Sequence, residues 1–158
     1  MATTSISVQT EDFDIGYEYQ QLREQAGDCG AIVTFTGLVR EIYDAQAEGT
    51  AEKIQTLTLE HYPGMTEKSL AEIAAQAEAQ WPLLAIRIVH RVGELHPNSQ
   101  IVLVATASSH RQAAFDGAQF MMDYLKSKAP FWKKQHSSSG TNWVQSRESD
   151  ADAIKRWD

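Results

Sequence analysis

The sequence has little of what a disulfide framework or a thiolate metal site needs. It contains one cysteine in 158 residues, Cys29, so it can form neither an internal disulfide nor a cysteine-based metal cluster. No apolar run approaches ~20 residues, the length that spans a bilayer. The N-terminal stretch MATTSISVQTEDF lacks the basic and apolar regions of a signal peptide. Together these absences favour a cytoplasmic protein.

Positive charge is scarce as well. The chain carries 14 Lys and Arg against 21 Asp and Glu, a net charge of −7. This argues against general nucleic-acid binding, because that function usually shows as a basic surface, and any basic site must be local. The length of 158 residues and a hydrophobic content of 42% fit a single domain, residues 1–158, with a buried core.

Hydrophobic periodicity predicts alternating strands and helices. The predicted strands are 31–37, 54–62, 84–92 and 100–107, and the predicted helices are 66–81 and 109–127. The polar segment 41–53 is expected to be a mobile loop. Residues 130–135 are expected to be extended, and 137–158 to form a C-terminal extension with a short strand and helix. The order β-β-α-β-β-α-β predicts the α+β class, with a mixed, largely antiparallel sheet and packed helices.

The helix starts and faces can also be predicted. Thr66 is expected to cap the first helix, and the S-x-x-Q pattern from Ser109 predicts a capping box on the second. The polar stripe of the second helix is Gln112, Asp116, Gln119, Asp123 and Lys126. Its apolar stripe is Phe115, Ala118, Met122 and Leu125.

Four lysines crowd into the stretch YLKSKAPFWKKQ, residues 124–135. The helix dipole favours lysines at a helix C-terminus, which accounts for Lys126 and Lys128 without a function. It does not account for Lys133 and Lys134, which follow Pro130. The turn at the proline can bring Lys133 back towards Lys126, and two close, partly buried ammonium groups suit a base or nucleophile. A solvated basic edge is the alternative.

Two more cations stand where the helix dipole makes positive charge unfavourable, in the first turn of the second helix. His110 and Arg111 are accounted for if an anion such as phosphate binds there. Side chains that point to solvent or meet a distant carboxylate are the alternative. Arg40 follows a strand end at Gly37 and can hold phosphate or carboxylate by two hydrogen bonds, or form an ordinary surface ion pair.

Metal and cofactor sites are not expected. His61, His90 and His96 lack H-x-x-x-H spacing, and the sequence has no Gly-rich phosphate loop.

Several segments, in this order, resemble the catalytic (large) subunit of molybdopterin synthase. They are TFTGLVR (34–40), LTLEHYPGM (57–65), IVHRVGEL (88–95), SSHRQAAF (108–115), FMMDYLKSKAPFWKKQ (120–135) and WVQSRESD (143–150). The resemblance implies an α/β-hammerhead fold with a small additional β subdomain. It also implies a reaction in which two sulfurs pass to cyclic pyranopterin monophosphate and form the dithiolene of molybdopterin.

The resemblance further implies the partners. Sulfur would arrive as a thiocarboxylate on the C-terminal Gly-Gly tail of a small ubiquitin-like sulfur-carrier subunit, and that tail would enter a pocket of the large subunit. The assembly would be a heterotetramer around a large-subunit dimer. A donor on another chain explains why no catalytic cysteine is apparent.

The matching motifs imply roles for individual residues. Lys126 would lie beside the thiocarboxylate, and Lys133 would meet the pterin or its phosphate and assist addition and elimination. The residues expected to hold the phosphate are Arg40, His110 and Arg111. The other residues expected to bind substrate or line its pocket are Phe35, Leu38, Val39, Met122, Lys134, Gln135 and Arg147, the last by reaching across the dimer.

Two positions depart from the family pattern. Leu38 stands where a lysine is common, and Gln135 stands where an acidic residue often follows the lysine pair. A non-catalytic module that binds a phosphorylated ligand or a ubiquitin-like tail is one alternative. A cyclic-phosphate hydrolase is another, although the metal ligands or nucleophile it would need are not apparent. Retention of both lysines favours the sulfur-transferring enzyme.

Overall fold

The computed structural model describes residues 2–40, 42–43, 52–137, 140–144 and 148–157. The strands are β1 Thr3–Gln9, β2 Ala31–Leu38, β3 Ile42–Tyr43, β4 Glu52–His61, β5 Leu83–Arg91, β6 Gly93–Leu95, β7 Gln100–Ser108, β8 Phe131–Ser137 and β9 Gly140–Val144. The helices are α1 Ile15–Ala26, α2 Met65–Gln80, α3 Arg111–Lys128 and α4 Glu148–Ile154, and a 3-10 turn covers Lys155–Trp157.

The first sheet has the strand order β1-β5-β7-β2, with β1 parallel to β5 and the other pairs antiparallel. Strand β7 is an interior strand, and it is buried from Val102 to Ser108. Helices α2 and α3 cover one face through a core that includes Ile86, Ile88 and Met121. On the opposite face, Leu22 of α1 joins a smaller cluster of alanines from β5 and β7.

The second sheet has the order β3-β4-β8-β9, and β6 also pairs with β4. Strand β4 lies antiparallel to β8, with Leu59 opposite Lys133 and His61 opposite Phe131. The buried residues of this region are Val39, Leu57, Leu59, Val92 and Leu95, with Phe131 packed against them. Two sheets with packed helices confirm the predicted α+β class.

Several elements were absent from the prediction. The strand β1 and helix α1 at the N-terminus were not predicted, and β6 lies between the predicted strands 84–92 and 100–107, where no strand was predicted. The expected loop 41–53 contains one short antiparallel pair, with Ile42 opposite Lys53 and Tyr43 opposite Glu52. Residues 41 and 44–51 lie outside the described part of the chain.

Both predicted caps are wrong. Helix α3 begins at Arg111 with His110 as its N-cap, one residue later than the box from Ser109 requires, and no side chain caps it. At the start of α2, the N–H of Gly64 donates to Glu67 Oε2 at 2.8 Å instead. Thr66 is buried inside the helix, where its hydroxyl accepts from the Tyr62 N–H and donates to the Pro130 carbonyl at 3.1 Å. Thr66 therefore ties α2 to the start of β8.

The faces of α3 also differ from the prediction at two positions. Phe115 is 59% exposed, whereas Ala114 and Gly117 are buried against the sheet. A Cβ on Gly117 would lie 3.0 Å from the Leu83 side chain, so this face must carry small residues, and Phe115 is turned outwards. Asp123 is buried, not solvated, because Trp157 covers it and its indole N–H donates to Asp123 Oδ2 at 2.7 Å.

Candidate functional site

The two lysines that the sequence singled out lie at one end of the first sheet. Helix α3 returns along the sheet from the end of β7, so its last turn, with Lys126, lies near the start of that strand. After the turn at Pro130, β8 carries Lys133 along the second sheet. Both lysines lie within electrostatic reach of His90, near the end of β5. Lys126 and Lys133 thus both lie near one buried histidine, and their approach to each other stays a prediction.

His90 is 5% exposed, and its ring stacks on Phe131 with the centroids 3.8 Å apart and the planes 17° apart. Burial lowers the pKa of His90 to about 4, and the nearby charges of Lys133, Lys126 and His61 act in the same direction. The Nδ1 atom lies 2.9 Å from the Arg91 carbonyl oxygen. Because a carbonyl only accepts hydrogen bonds, Nδ1 carries the proton and Nε2 keeps its lone pair.

The register of β8 separates the two lysines of its FWKK motif. Side chains alternate along a strand, so Lys133 shares a face with Phe131, and Lys134 points to the other face. On that outer face, Lys134 Nζ lies 4.5 Å from the centre of the Trp143 ring and 4.0 Å from Glu60 Oε1. The structure therefore does not bring Lys134 to the His90 cluster.

His110 and Arg111 lie at the far end of α3 from the lysines. The helix has 18 residues, and a rise of ~1.5 Å per residue separates His110 from Lys126 by roughly 24 Å. Both residues are exposed. Within one chain the structure does not bring them to the lysine end.

Arg40 lies at the same end of the sheet as the lysines. It follows β2, whose Leu38 pairs with Gln100 at the start of β7, and hydrogen bonds from Val39 to Ser99 and from Asn98 to Val39 fix the backbone beside it. Arg40 is exposed. The three residues expected to hold phosphate are thus divided between two ends of the chain's first sheet.

The remaining candidates fall into three groups. Phe35 and Leu38 are exposed on the edge strand β2, at 42% and 53%. Val39 and Met122 are buried in the core, at 2% and 7%. Arg147 and the side chain of Gln135 lie outside the described part of the chain, although the Gln135 backbone pairs with Leu57.

Sequence patterns did not assign His90 or His61 to the site. His90 lies in the apolar run of β5, where it resembles a core residue, and no fixed spacing links it to the lysines. His61 lies on the buried face of β4, and its Nε2 is 3.7 Å from Glu67 Oε1. The short-range signal available was the stretch APFWKK, because Phe131 is the residue that His90 contacts.

Other kinds of site have little support in the described residues. No group of three His, Cys, Asp or Glu side chains in that part of the chain is arranged to hold a metal ion. No helix in it is long and apolar enough to cross a bilayer.

Comparison with known proteins gives a consistent result. The model of the MoaE protein family matches residues 8–128. The molybdopterin synthase catalytic subunit of Escherichia coli strain K12 is 50% identical over 157 residues, which cover 99% of this chain and 100% of that protein. The molybdopterin biosynthesis MoaE protein from Burkholderia ambifaria MC40-6 superposes with a TM-score of 0.81 at 48% identity, covering 99% of this chain and 98% of the other.

A more distant structure shares the fold. One chain of the complex of subunits 1 and 2 of molybdopterin-converting factor from Helicobacter pylori 26695 superposes with a TM-score of 0.69. It is 19% identical, and the match covers 92% of each chain.

Proposed function

The chain belongs to the MoaE family, and from this membership we propose that it is a molybdopterin synthase catalytic subunit acting on cyclic pyranopterin monophosphate. Sulfur would come from the thiocarboxylated C-terminus of a small sulfur-carrier subunit. The relatives that match along almost the whole chain carry this enzyme name, which makes the chain a sulfurtransferase of molybdenum cofactor biosynthesis. The expected location is the cytoplasm.

The observation that supports this function best is the convergence of Lys126 and Lys133 on the buried, neutral His90. A thiocarboxylate and a phosphorylated pterin are both anions, and ammonium groups held at fixed positions stabilise negative charge as it develops. We assign Lys126 to the thiocarboxylate and Lys133 to the pterin or its phosphate. Lys126 is exposed, which suits contact with the tail of a second protein.

The roughly 24 Å between the two ends of α3 bears on the phosphate site. A cyclic pterin phosphate is much shorter than this helix, so one substrate cannot contact both Lys126 and His110 of the same chain. If His110 and Arg111 bind the phosphate, they must do so in a site whose lysines belong to a second copy. The large-subunit dimer supplies such a copy, and Arg40 can complete the site from the lysine side.

The competing binding module and hydrolase receive less support. A module that only binds a phosphorylated ligand or a carrier tail could lose either lysine, so the presence of both Lys126 and Lys133 favours the enzyme. A hydrolase of cyclic phosphates generally uses a metal or an activated nucleophile, and no metal-ligand group is present among the described side chains.

A single-turnover assay tests the proposal. The purified chain is mixed with thiocarboxylated small subunit and cyclic pyranopterin monophosphate, and molybdopterin is measured as its oxidised fluorescent derivative. Wild type should give product. Lys126→Ala should lose ~100-fold or more in rate, as expected when a charge that stabilises the transition state is removed, yet still bind the small subunit.

The matched control is Lys128→Ala. Lys128 belongs to the same basic stretch and is exposed, but two positions along a helix turn its side chain by roughly 200° away from Lys126. It should retain wild-type rate. Absence of product from wild type, in spite of a stable complex with the small subunit, would refute the enzyme and favour the binding module.

A further inference from the structure

His90 is a residue of this site to which no part in the reaction has been assigned so far. It lies one position before the end of β5, and its ring stacks on Phe131, which packs against the buried clusters of both sheets. Four elements meet around it: β5 contributes His90, β8 contributes Phe131 and Lys133, α3 contributes Lys126, and β4 contributes His61.

The contact with Phe131 is close and nearly parallel. At 3.8 Å between ring centroids and 17° between planes, the two rings overlap over their faces. Phe131 is the first residue of β8 and donates its backbone N–H to the Ala129 carbonyl at 2.9 Å. The stack therefore holds the first residue of β8, directly after the turn at Pro130 that follows α3.

Lys133 follows Phe131 by two positions on the same strand and the same face. A shift or rotation at Phe131 is therefore transmitted to Lys133. Lys126, in contrast, belongs to α3, whose buried residues Met121 and Leu125 are part of the core of the first sheet. The relative position of the two lysines thus depends on how β8 starts.

We propose that His90 is a positioning residue, whose ring holds Phe131, and through it the start of β8, so that Lys133 faces Lys126. The proposal rests on the proposed function, since it assigns a role within that reaction.

The charge state of His90 fits this role. The groups that face it from the packed elements are Lys133, Lys126 and His61, all of them basic. A charged imidazole would add a third cation beside two lysines, whereas the lowered pKa of about 4 keeps His90 neutral at physiological pH. Its Nδ1 proton is already used by the Arg91 carbonyl, which fixes the ring plane against Phe131.

The test uses two substitutions at His90 and one control. His90→Phe keeps an aromatic ring to stack on Phe131, and His90→Ala removes it. His96→Ala is the control, because His96 has a side chain 69% exposed and lies outside the cluster. Each full-length variant is assayed in single turnover with the thiocarboxylated small subunit, and its affinity for that subunit is measured separately.

A second readout does not depend on activity. A short amine-reactive reagent such as 1,5-difluoro-2,4-dinitrobenzene joins lysines whose ammonium groups are close, and mass spectrometry of the digest gives the yield of the bridge between Lys126 and Lys133. This yield reports directly on how the two side chains face each other.

We expect His90→Ala to lose about tenfold in single-turnover rate, in keeping with the cost of misplacing a reacting group by a fraction of an ångström. Its affinity for the small subunit should stay within about twofold of wild type, because the substitution should not change interactions that are equally strong in the ground state and the transition state. The cross-link should fall in parallel. His90→Phe should recover most of both signals, and His96→Ala should match wild type.

Other outcomes overturn the proposal. Wild-type rate and cross-link in His90→Ala would show that the ring does not position β8. Equal losses in His90→Phe and His90→Ala would show that stacking is not what matters. If His90→Ala fails to fold, His90→Phe becomes the deciding variant. A rate and a cross-link close to those of wild type would support the stacking role, and a loss of both would contradict it. A wild type that forms the cross-link but no product would refute the proposed reaction while leaving the positioning of the lysines to be judged from the cross-link alone.

Discussion

The indole N–H of Trp157 donates to the buried Oδ2 of Asp123 at 2.7 Å, across 34 positions of sequence. The same carboxylate oxygen lies 3.3 Å from Arg156 Nε, and the Trp157 ring makes edge contacts with Trp81 and Phe120 at 5.3 and 5.5 Å. The turn at Lys155–Trp157 is thus attached to the second half of α3, one helical turn before Lys126.

Removing this contact should destabilise the fold. Trp157→Ala deletes the aromatic packing and leaves the Asp123 carboxylate without its indole donor, so we expect the free energy of unfolding to fall by about 3 kcal/mol. Trp157→Phe should cost about 1 kcal/mol, because it loses mainly the hydrogen bond. Urea unfolding measures both. Lys155→Ala, which removes an exposed ion pair with Asp152, should cost almost nothing, and an equal loss there would contradict the assignment.

The burial of His90 should make stability depend on pH. Its pKa is about 4 in the folded chain against 6.5 for the ordinary side chain, so the unfolded state takes up a proton first as pH falls. Stability is therefore fully present above pH 6.5 and declines between 6.5 and about 4. At ~1.36 kcal/mol per pKa unit, this difference corresponds to roughly 3 kcal/mol of stability.

The measurement is urea unfolding at several pH values in that window, for wild type and for His90→Phe. The variant should lack this part of the decline, since it has no proton to take up. His96→Phe, at an exposed position, should keep the wild-type dependence. Identical pH profiles for wild type and His90→Phe would mean that His90 is not held neutral by burial.

Adjacent lysines on β8 should differ sharply in function. Lys133 lies on the face of His90 and Phe131, whereas Lys134 lies on the outer face above Trp143. Lys133→Ala should lower the single-turnover rate by ~100-fold or more. Lys134→Ala should change it by less than about threefold, because an exposed ion pair and a cation–π contact contribute little to a remote site. A comparable loss in Lys134→Ala would return that residue to the site, as the family motif suggested.

Mixing two inactive variants tests whether His110 and Arg111 serve a site whose Lys126 belongs to the partner chain. Lys126→Ala and Arg111→Ala are unfolded together, refolded together and assayed. If each site takes its lysine from one chain and its phosphate ligands from the partner, half of the dimers are mixed and each holds one intact site, so about a quarter of wild-type activity returns. If each site belongs to one chain, no activity returns. The separately refolded variants are the control.

Hydrophobic patterns in the sequence predicted much of the fold, and the elements that they did not predict, β1 and α1, share a physical reason. Strand β7 and helix α2 carry strong apolar signals, because they are buried on both faces or along one clear stripe. Strand β1 alternates only weakly and gains its place by parallel pairing with β5, some 80 residues away. Helix α1 is polar, with Leu22 and Glu18 as its buried residues. Glu18 is buried because Arg87 pairs with it at 2.7 Å, a partner that no local pattern identifies.

The site shows the same division. Local chemistry and family motifs singled out Lys126 and Lys133, since four lysines in an acidic chain stand out. They could not assign His90, whose neighbours come from three other elements, nor show that Arg40 and His110 lie at opposite ends of the sheet. The surroundings of His90 and the positions of Arg40 and His110 both depend on tertiary contacts, which produce no periodic pattern in the sequence.

Helix α3 also sets both the distance and the relative rotation between the residues at its two ends. It runs without interruption from Arg111 to Lys128, so its length sets both the distance between its two ends and the direction in which each end points. Inserting one residue would change that distance by only ~1.5 Å but would rotate Lys126 by roughly 100° relative to Arg111. Changes in the length of this segment that preserve the chemistry should therefore come in whole turns, as insertions or deletions of about four or seven residues. The register of the helix, more than its composition, limits how this part of the chain can diverge.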